Sequence, residues 1–265
     1  MTVIVLSGAQ QGNGRIGYHN LFTDSGVTVA ASDEVSGYEK ENAYDWKQYD
    51  WWKQSAAGTS WLRASFASAA SADYMCVFGH NLHGVGGSVK PQYSTDGGST
   101  WNDAATATAP ANGNTIFIGF DSVSAADWRC LVVTSTGQSI IAGVMIGEAM
   151  VFERDITAGF APPSLSPDIE SKTAMSELGV NLGVSNLRTG VSGTISLSNI
   201  SAAWVRESWQ GLIDHLNNGY PCAFAWDYLN RPSETVLIWK KDKVGKPAYS
   251  TPNYMTATLD YEGML

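Results

Sequence analysis

Ser94-Thr95-Asp96-Gly97-Gly98-Ser99-Thr100-Trp101 is the stretch whose reading decides the fold. A carboxylate at Asp96 can accept hydrogen bonds from turn amides two and more residues on. Gly97 and Gly98 supply the positive φ at which a Cβ would clash. Thr100 and Trp101 then have the β-branched and aromatic character of a returning strand. The octet predicts a tight β-hairpin, with Asp96, Gly97, Gly98 and Trp101 as its structural turn residues.

The rest of the chain has the same character. Only 15% of its 265 residues are charged, against 27 Gly, 10 Trp and 11 Tyr, a composition that favours sheets and turns over a helical bundle. A formal net charge of −9 excludes a nucleic-acid partner, because phosphates demand a basic footprint. The densest basic run, Lys240, Lys241, Lys243 and Lys246, fits a solvated hairpin. Cys76, Cys130 and Cys222 form no C-x-x-C pair and sit in apolar runs, as reduced, space-filling thiols do. Met1 to Leu6 lacks a basic region and a long apolar core, and is expected to be a first strand and not a leader. No apolar run approaches a membrane span, so no membrane insertion is expected.

The halves differ in charge. Through Asp155 there are 8 Lys+Arg and 15 Asp+Glu (net −7), and from Ile156 onward 8 and 10 (net −2). Between them, Ala161-Pro162-Pro163-Ser164-Leu165-Ser166-Pro167-Asp168 reads as an extended connector. In the first half, short β-rich runs alternate with turn clusters: 3–6, 27–31, 61–67, 73–79, 88–93, 115–120, 128–134 and 140–152. The inward–outward alternation is imperfect over Trp61 to Phe66. In the second half, Ser201 is a helix N-cap, and Trp204, Val205, Trp209, Leu212, Ile213 and Leu216 form an apolar stripe closed by Gly219 and Pro221. Strands are expected over 191–197, 222–226, 235–240 and 254–261. The expected architecture is mainly β: an N-terminal jelly-roll β-sandwich over 1–158, a Pro-rich linker over 159–170, and a small α+β domain over 171–265. In that domain one helix covers an antiparallel sheet.

Few constellations carry chemistry. His80 and His83 sit three apart at a strand end, beside a glycine-rich loop and without Cys or carboxylate neighbours, which reads as loop polarity and not as a metal site. Trp46, Tyr49, Trp51, Trp52 and Trp61 form an aromatic belt, mostly core and rim. Trp46 and Trp51, with Asp50 and His83, are the candidate glycan contacts, since aromatic faces stack on sugar rings while polar groups orient the hydroxyls. No nucleophile elbow, phosphate loop, dinucleotide fingerprint or zinc-protease motif is present, and Gly8 to Gly14 lacks a G-K-[ST] ending. No catalytic residue, cofactor or metal is expected.

Two resemblances bear on function. The pattern S-x-D-x-G-x-T-W over Ser94 to Trp101 resembles the Asp-box of sialidases. It occurs once, without a repeating blade period, and so marks a hairpin and not an activity. Ala30 to Glu34, Tyr44 to Trp46, Trp52 to Ser55 and Thr59 to Phe66 resemble the opening of discoidin-like, galactose-binding-like jelly rolls. Taken on through Gly79 to Leu82, Trp128 to Val132, Ile146 to Ala149, Ile200 to Arg206, Pro221 to Trp226 and Thr258 to Gly263, the succession resembles tailed-phage structural proteins of distal-tail type. That resemblance implies a virion protein made in the host bacterial cytoplasm. It would form a ring of identical copies at the end of the tail tube, contacting other tail-tube and tail-tip proteins and, as further candidates, host surface glycans. The alternative is a carbohydrate-binding module or an accessory domain of a glycan-degrading enzyme.

Overall fold

A computed structural model describes residues 14–165 and 167–264, so the expected strand at Met1 to Leu6 lies outside the described residues, as does most of the Gly8 to Gly14 loop. Among the described residues the fold is mainly β, with two antiparallel sheets, one continuous helical run over 202–217 and several short 3-10 turns.

The first sheet runs in the order Trp52–Lys53, Ile140–Gly147, Thr59–His80, Ile116–Val133, Ser88–Ser94, Asn102–Asp103, with Thr28–Ala31 added on Thr59–His80. Two pairs of expected strands merge. The runs 61–67 and 73–79 are one strand, and 115–120 and 128–134 another. The join in Thr59–His80 is a stretch of small residues, Ala67 to Ala72, where register shifts fall between Ser65 and Ala70 and between Ala72 and Tyr74. Such shifts bend a strand and exchange its faces. Before the bend the even-numbered Leu62 and Ala64 enter the sandwich core; after it the odd-numbered Met75 and Val77 do. One sheet thus folds over on itself around Trp52, Trp128 and Ile118. The imperfect alternation near Trp61 has a simple cause: the inward positions Ser60 and Ala64 are small, and Trp61 lies on the outer face, half-buried.

After the bend the other face carries Tyr74, Cys76 and Phe78. They pack with Phe117, Ala142 and Met145 against Ala223, Ala225, Tyr228 and Leu237 of the second unit. The sandwich therefore packs directly against the second sheet. Arg15 tightens this junction, with its guanidinium 4.2 Å from the Tyr228 ring centre and 3.6 Å from Asp73.

The second sheet has the order Asp168–Met175, Asn181–Ser201, Tyr254–Met264, Val236–Lys240, Cys222–Ala225, Arg15–Gly17, Met150–Val151, with Ala248–Thr251 on Tyr254–Met264. The segment that makes the sandwich therefore starts and finishes as strands of its neighbour: Ile16 pairs with both Phe224 and Met150. The Pro-rich stretch holds a short turn, Pro163–Leu165, and strand pairing already begins at Asp168. Ser201 caps the helical segment, its hydroxyl accepting from the Trp204 amide at 3.2 Å. Val205, Trp209, Leu212 and Leu216 then recur at spacings of four, three and four, and all are buried against the sheet. A wider π turn over Val205–Trp209 sits within that segment. The three cysteines are free and buried, and burial pushes all three thiols up.

Candidate functional site

The octet is a closed structure. Asp96 Oδ1 accepts from the Thr100 amide (2.9 Å) and the Ser94 hydroxyl (2.7 Å), and Oδ2 from the Thr100 hydroxyl (2.6 Å). These bonds, the Thr100 hydroxyl first, hold its carboxyl well below the usual range. Gly97 and Gly98 have φ of +74° and +87°. Arg63 ties the turn to the sheet, donating to the Gly97 carbonyl at 2.9 Å and pairing with Asp127 at 2.7 Å. Trp101 lies under Arg129, whose guanidinium is 3.9 Å from the ring centre. Both carboxylate oxygens of Asp96 accept hydrogen bonds within the octet, and the Arg129 guanidinium covers the Trp101 indole.

Of the candidate glycan contacts, Trp46 and Trp51 pack against the same core between the sandwich and the second sheet. Asp50 lies next to Trp51, 3.5 Å from Lys47 Nζ. His83 is exposed on the turn Leu82–Val85, beside Gly113. Trp46 has a φ of +69°, a conformation that a bulky residue adopts only when its surroundings impose it. What imposes it comes from the other unit: its ring stacks on Tyr220 (centroids 5.3 Å, 20°) and meets the His215 edge at 4.9 Å. Tyr18 completes the group at 5.4 Å from His215. Together with His19, Asn20, Thr23 and Gly211, these rings line an open cleft of about 380 Å³ at the junction. The sequence singled out Trp46 as a candidate but not Tyr18, His215 and Tyr220; Tyr18 and Trp46 stand far along the chain from His215 and Tyr220 and meet them only because the two sheets pack.

His80 is buried with Nε2 3.0 Å from the Asn114 carbonyl oxygen. Burial, opposed by that hydrogen bond, pushes its pKa down to about 4. The unfolded chain binds a proton near the ordinary histidine value of about 6.5 while the folded chain stays neutral, so stability falls as pH drops from about 6.5 toward 4. The loss should reach about 2–3 kcal/mol. Urea melts at neutral pH and near pH 4.5 measure it, and His80→Gln should shrink the difference. An imidazole titrating near 6.5 by NMR would refute this placement.

The second feature is an arm. Asp168–Met175 and the first half of Asn181–Ser201 pair from Asp168↔Gly190 to Met175↔Asn181, and continue the second sheet outward as a two-stranded hairpin. Ile169, Met175, Leu178, Val180, Leu182, Val184 and Leu187 are all exposed, between 52% and 92%, and make up seven of the fourteen exposed large hydrophobic side chains among the described residues. None belongs to a core cluster. Among the described residues no group of three or more His, Cys, Asp or Glu is placed to hold a metal ion, and no helix is long and apolar enough to cross a membrane.

No protein-family model and no curated protein sequence matches the chain. Solved structures similar to part of it include the GH29 fucosidase of Ruminococcus gnavus in complex with fucose (16% identity, 49% of this chain and 27% of that one, TM-score 0.43). Chitosan-binding module 1 of the chitosanase/glucanase from Paenibacillus sp. IK-5 is similar at 20% identity over 48% of this chain and 98% of that one (TM-score 0.40). The module CBM32-5 of a Clostridium perfringens protein, in complex with GalNAc-β-1,3-galactose, is similar at 12% identity over 46% and 95% (TM-score 0.40). The chain thus spans about a quarter of the fucosidase's length, and about half of it aligns with nearly whole carbohydrate-binding modules.

Proposed function

We propose that this chain is a structural assembly protein whose copies join into a closed ring through the Asp168–Gly190 arm, with the β-sandwich carried on the outside. The observation that supports this reading is the arm itself. A two-stranded hairpin is marginal in water on its own, and a row of exposed apolar side chains marks a surface made to be covered. The occupant we assign is a second copy. The chain's net charge of −9 opposes self-association, but the arm holds three acids (Asp168, Glu170, Glu177) and two bases (Lys172, Arg188), a net of −1. It is a surface on which identical acidic chains meet with little repulsion. A patch on one copy that fits a different patch on the next closes into a ring when the rotation allows. The place we assign to the ring, the end of a phage tail tube beside other tail-tip proteins, rests on the resemblance of the sequence to distal-tail proteins.

Mass photometry and negative-stain microscopy of the full chain test the proposal: one closed oligomer is expected. A protein that stays monomeric at high concentration, alone and with its tail partners, would sink it. Labelling of intact particles tests the tail placement.

A second reading, a carbohydrate-binding module, is favoured by the aromatic lining of the junction cleft. It expects a glycan-array signal from the full chain. An empty array would retire it and leave the assembly reading untouched.

A further inference from the structure

We infer that the cleft between the two units is a binding site for the ring of a neutral sugar, held by Tyr18, Trp46 and Tyr220 in the room that Gly211 leaves open; this rests on the second reading above. Two local costs meet at this one place. Trp46 keeps a positive φ of +69°, a strain of about 1–3 kcal/mol that persists where surroundings or function demand it. Gly211 sits in the helix Gln210–Asn217, where glycine is worse than alanine by about 1 kcal/mol. A Cβ there would lie 2.6 Å from the Tyr18 hydroxyl oxygen. The glycine leaves that hydroxyl its place, and among the described residues the hydroxyl has no hydrogen-bond partner.

The ligand class follows from the lining. Tyr220 is 38% exposed and its ring is stacked on Trp46, giving an aromatic wall for the C–H face of a sugar. The Tyr18 hydroxyl supplies a polar group beside that wall; the His19 and His215 rings also line the cleft, with their Nε2 atoms turned to Asp24 (3.1 Å) and to the Pro221 carbonyl (2.9 Å). Among the described residues no Lys or Arg lines the cleft, and the chain carries a net charge of −9, so acidic sugars lack a counter-ion there. Two carboxylates beside lining residues are already engaged, Asp24 by His19 (3.1 Å) and Asp214 by Gln210 (2.9 Å). A volume of about 380 Å³ lies within the range of small-molecule pockets.

The test uses the full chain labelled with 5-fluorotryptophan, its Trp46 line assigned from Trp46→Phe. Galactose, glucose, N-acetylgalactosamine, N-acetylglucosamine and choline are titrated in turn, with a glycan array run in parallel. A neutral sugar should shift the Trp46 line, Tyr18→Phe should weaken binding about tenfold, and Gly211→Ala should remove it. Should Gly211→Ala fail to fold, Tyr18→Phe carries the test. Array binding that survives both substitutions, with the Trp46 line unmoved, overturns this site and keeps the carbohydrate reading. No sugar bound anywhere overturns both. A Trp46 shift with choline alone overturns the ligand class, because an aromatic cage for a quaternary ammonium is a different site.

Discussion

Replacing residues 171–187 with Asn-Gly is expected to turn the proposed ring into monomers. Glu170 and Arg188 are register partners, so the two strands can be closed across them by a two-residue turn without disturbing the sheet below. The deleted piece carries six of the seven exposed apolar side chains of the arm and belongs to none of the three cores. Thermal unfolding of the monomer should therefore match that of the intact chain under dissociating conditions. The dissociation constant should rise by about a hundredfold or more, ~2.7 kcal/mol. Sedimentation velocity reads both species. A ring of unchanged size after the deletion would show that the joint lies elsewhere on the molecule.

Trp128→Ala should be the most damaging single substitution in the sandwich. Its ring is fully buried, tilted against Tyr93 at 5.7 Å and stacked on Phe120 at 5.8 Å. Its indole N–H donates to the Ala70 carbonyl at 3.0 Å, inside the small-residue bend that folds the sheet over. Removing it loses aromatic packing and leaves a carbonyl at the bend without its partner. Together these amount to about 3–5 kcal/mol. Trp128→Phe keeps most of the packing and loses the bond, so its loss should be about 1–2 kcal/mol. Urea midpoints at neutral pH separate the two. A loss below about 1 kcal/mol for Trp128→Ala would mean that the bend is held by other contacts.

The turn at Asp96 was legible because its cause is local: a carboxylate, two glycines and two hydroxyls within eight residues satisfy one another whatever surrounds them. The returning strand was not, since it begins at Asn102 and not at Thr100. The helix was legible for the same reason, since Ser201 and the recurrence of Val205, Trp209, Leu212 and Leu216 lie on one short stretch. The arm was not. Leu178, Val180, Leu182 and Val184 are apolar at alternate positions and read by themselves as a strand with a buried face. No rule of local sequence says that this face is left in solvent. Nor did the runs on either side of Ala67 to Ala72 announce that they were one strand, because the bulge that exchanges their faces is made by pairing with Ile116–Val133.

Hydrogen bonds and periodicities that close within a few residues depend only on the order of side chains along the chain. By itself, then, the sequence determined the mainly β class, the two units and their order, the capped helix and the closed Asp96 turn. Contacts across more than a hundred residues depend on which faces the pairing turns toward each other. Only the tertiary structure decided that Arg15–Gly17 and Met150–Val151 are strands of the second sheet. It alone set Trp46 against His215 and Tyr220 in a cleft, and left the Asp168–Gly190 arm uncovered.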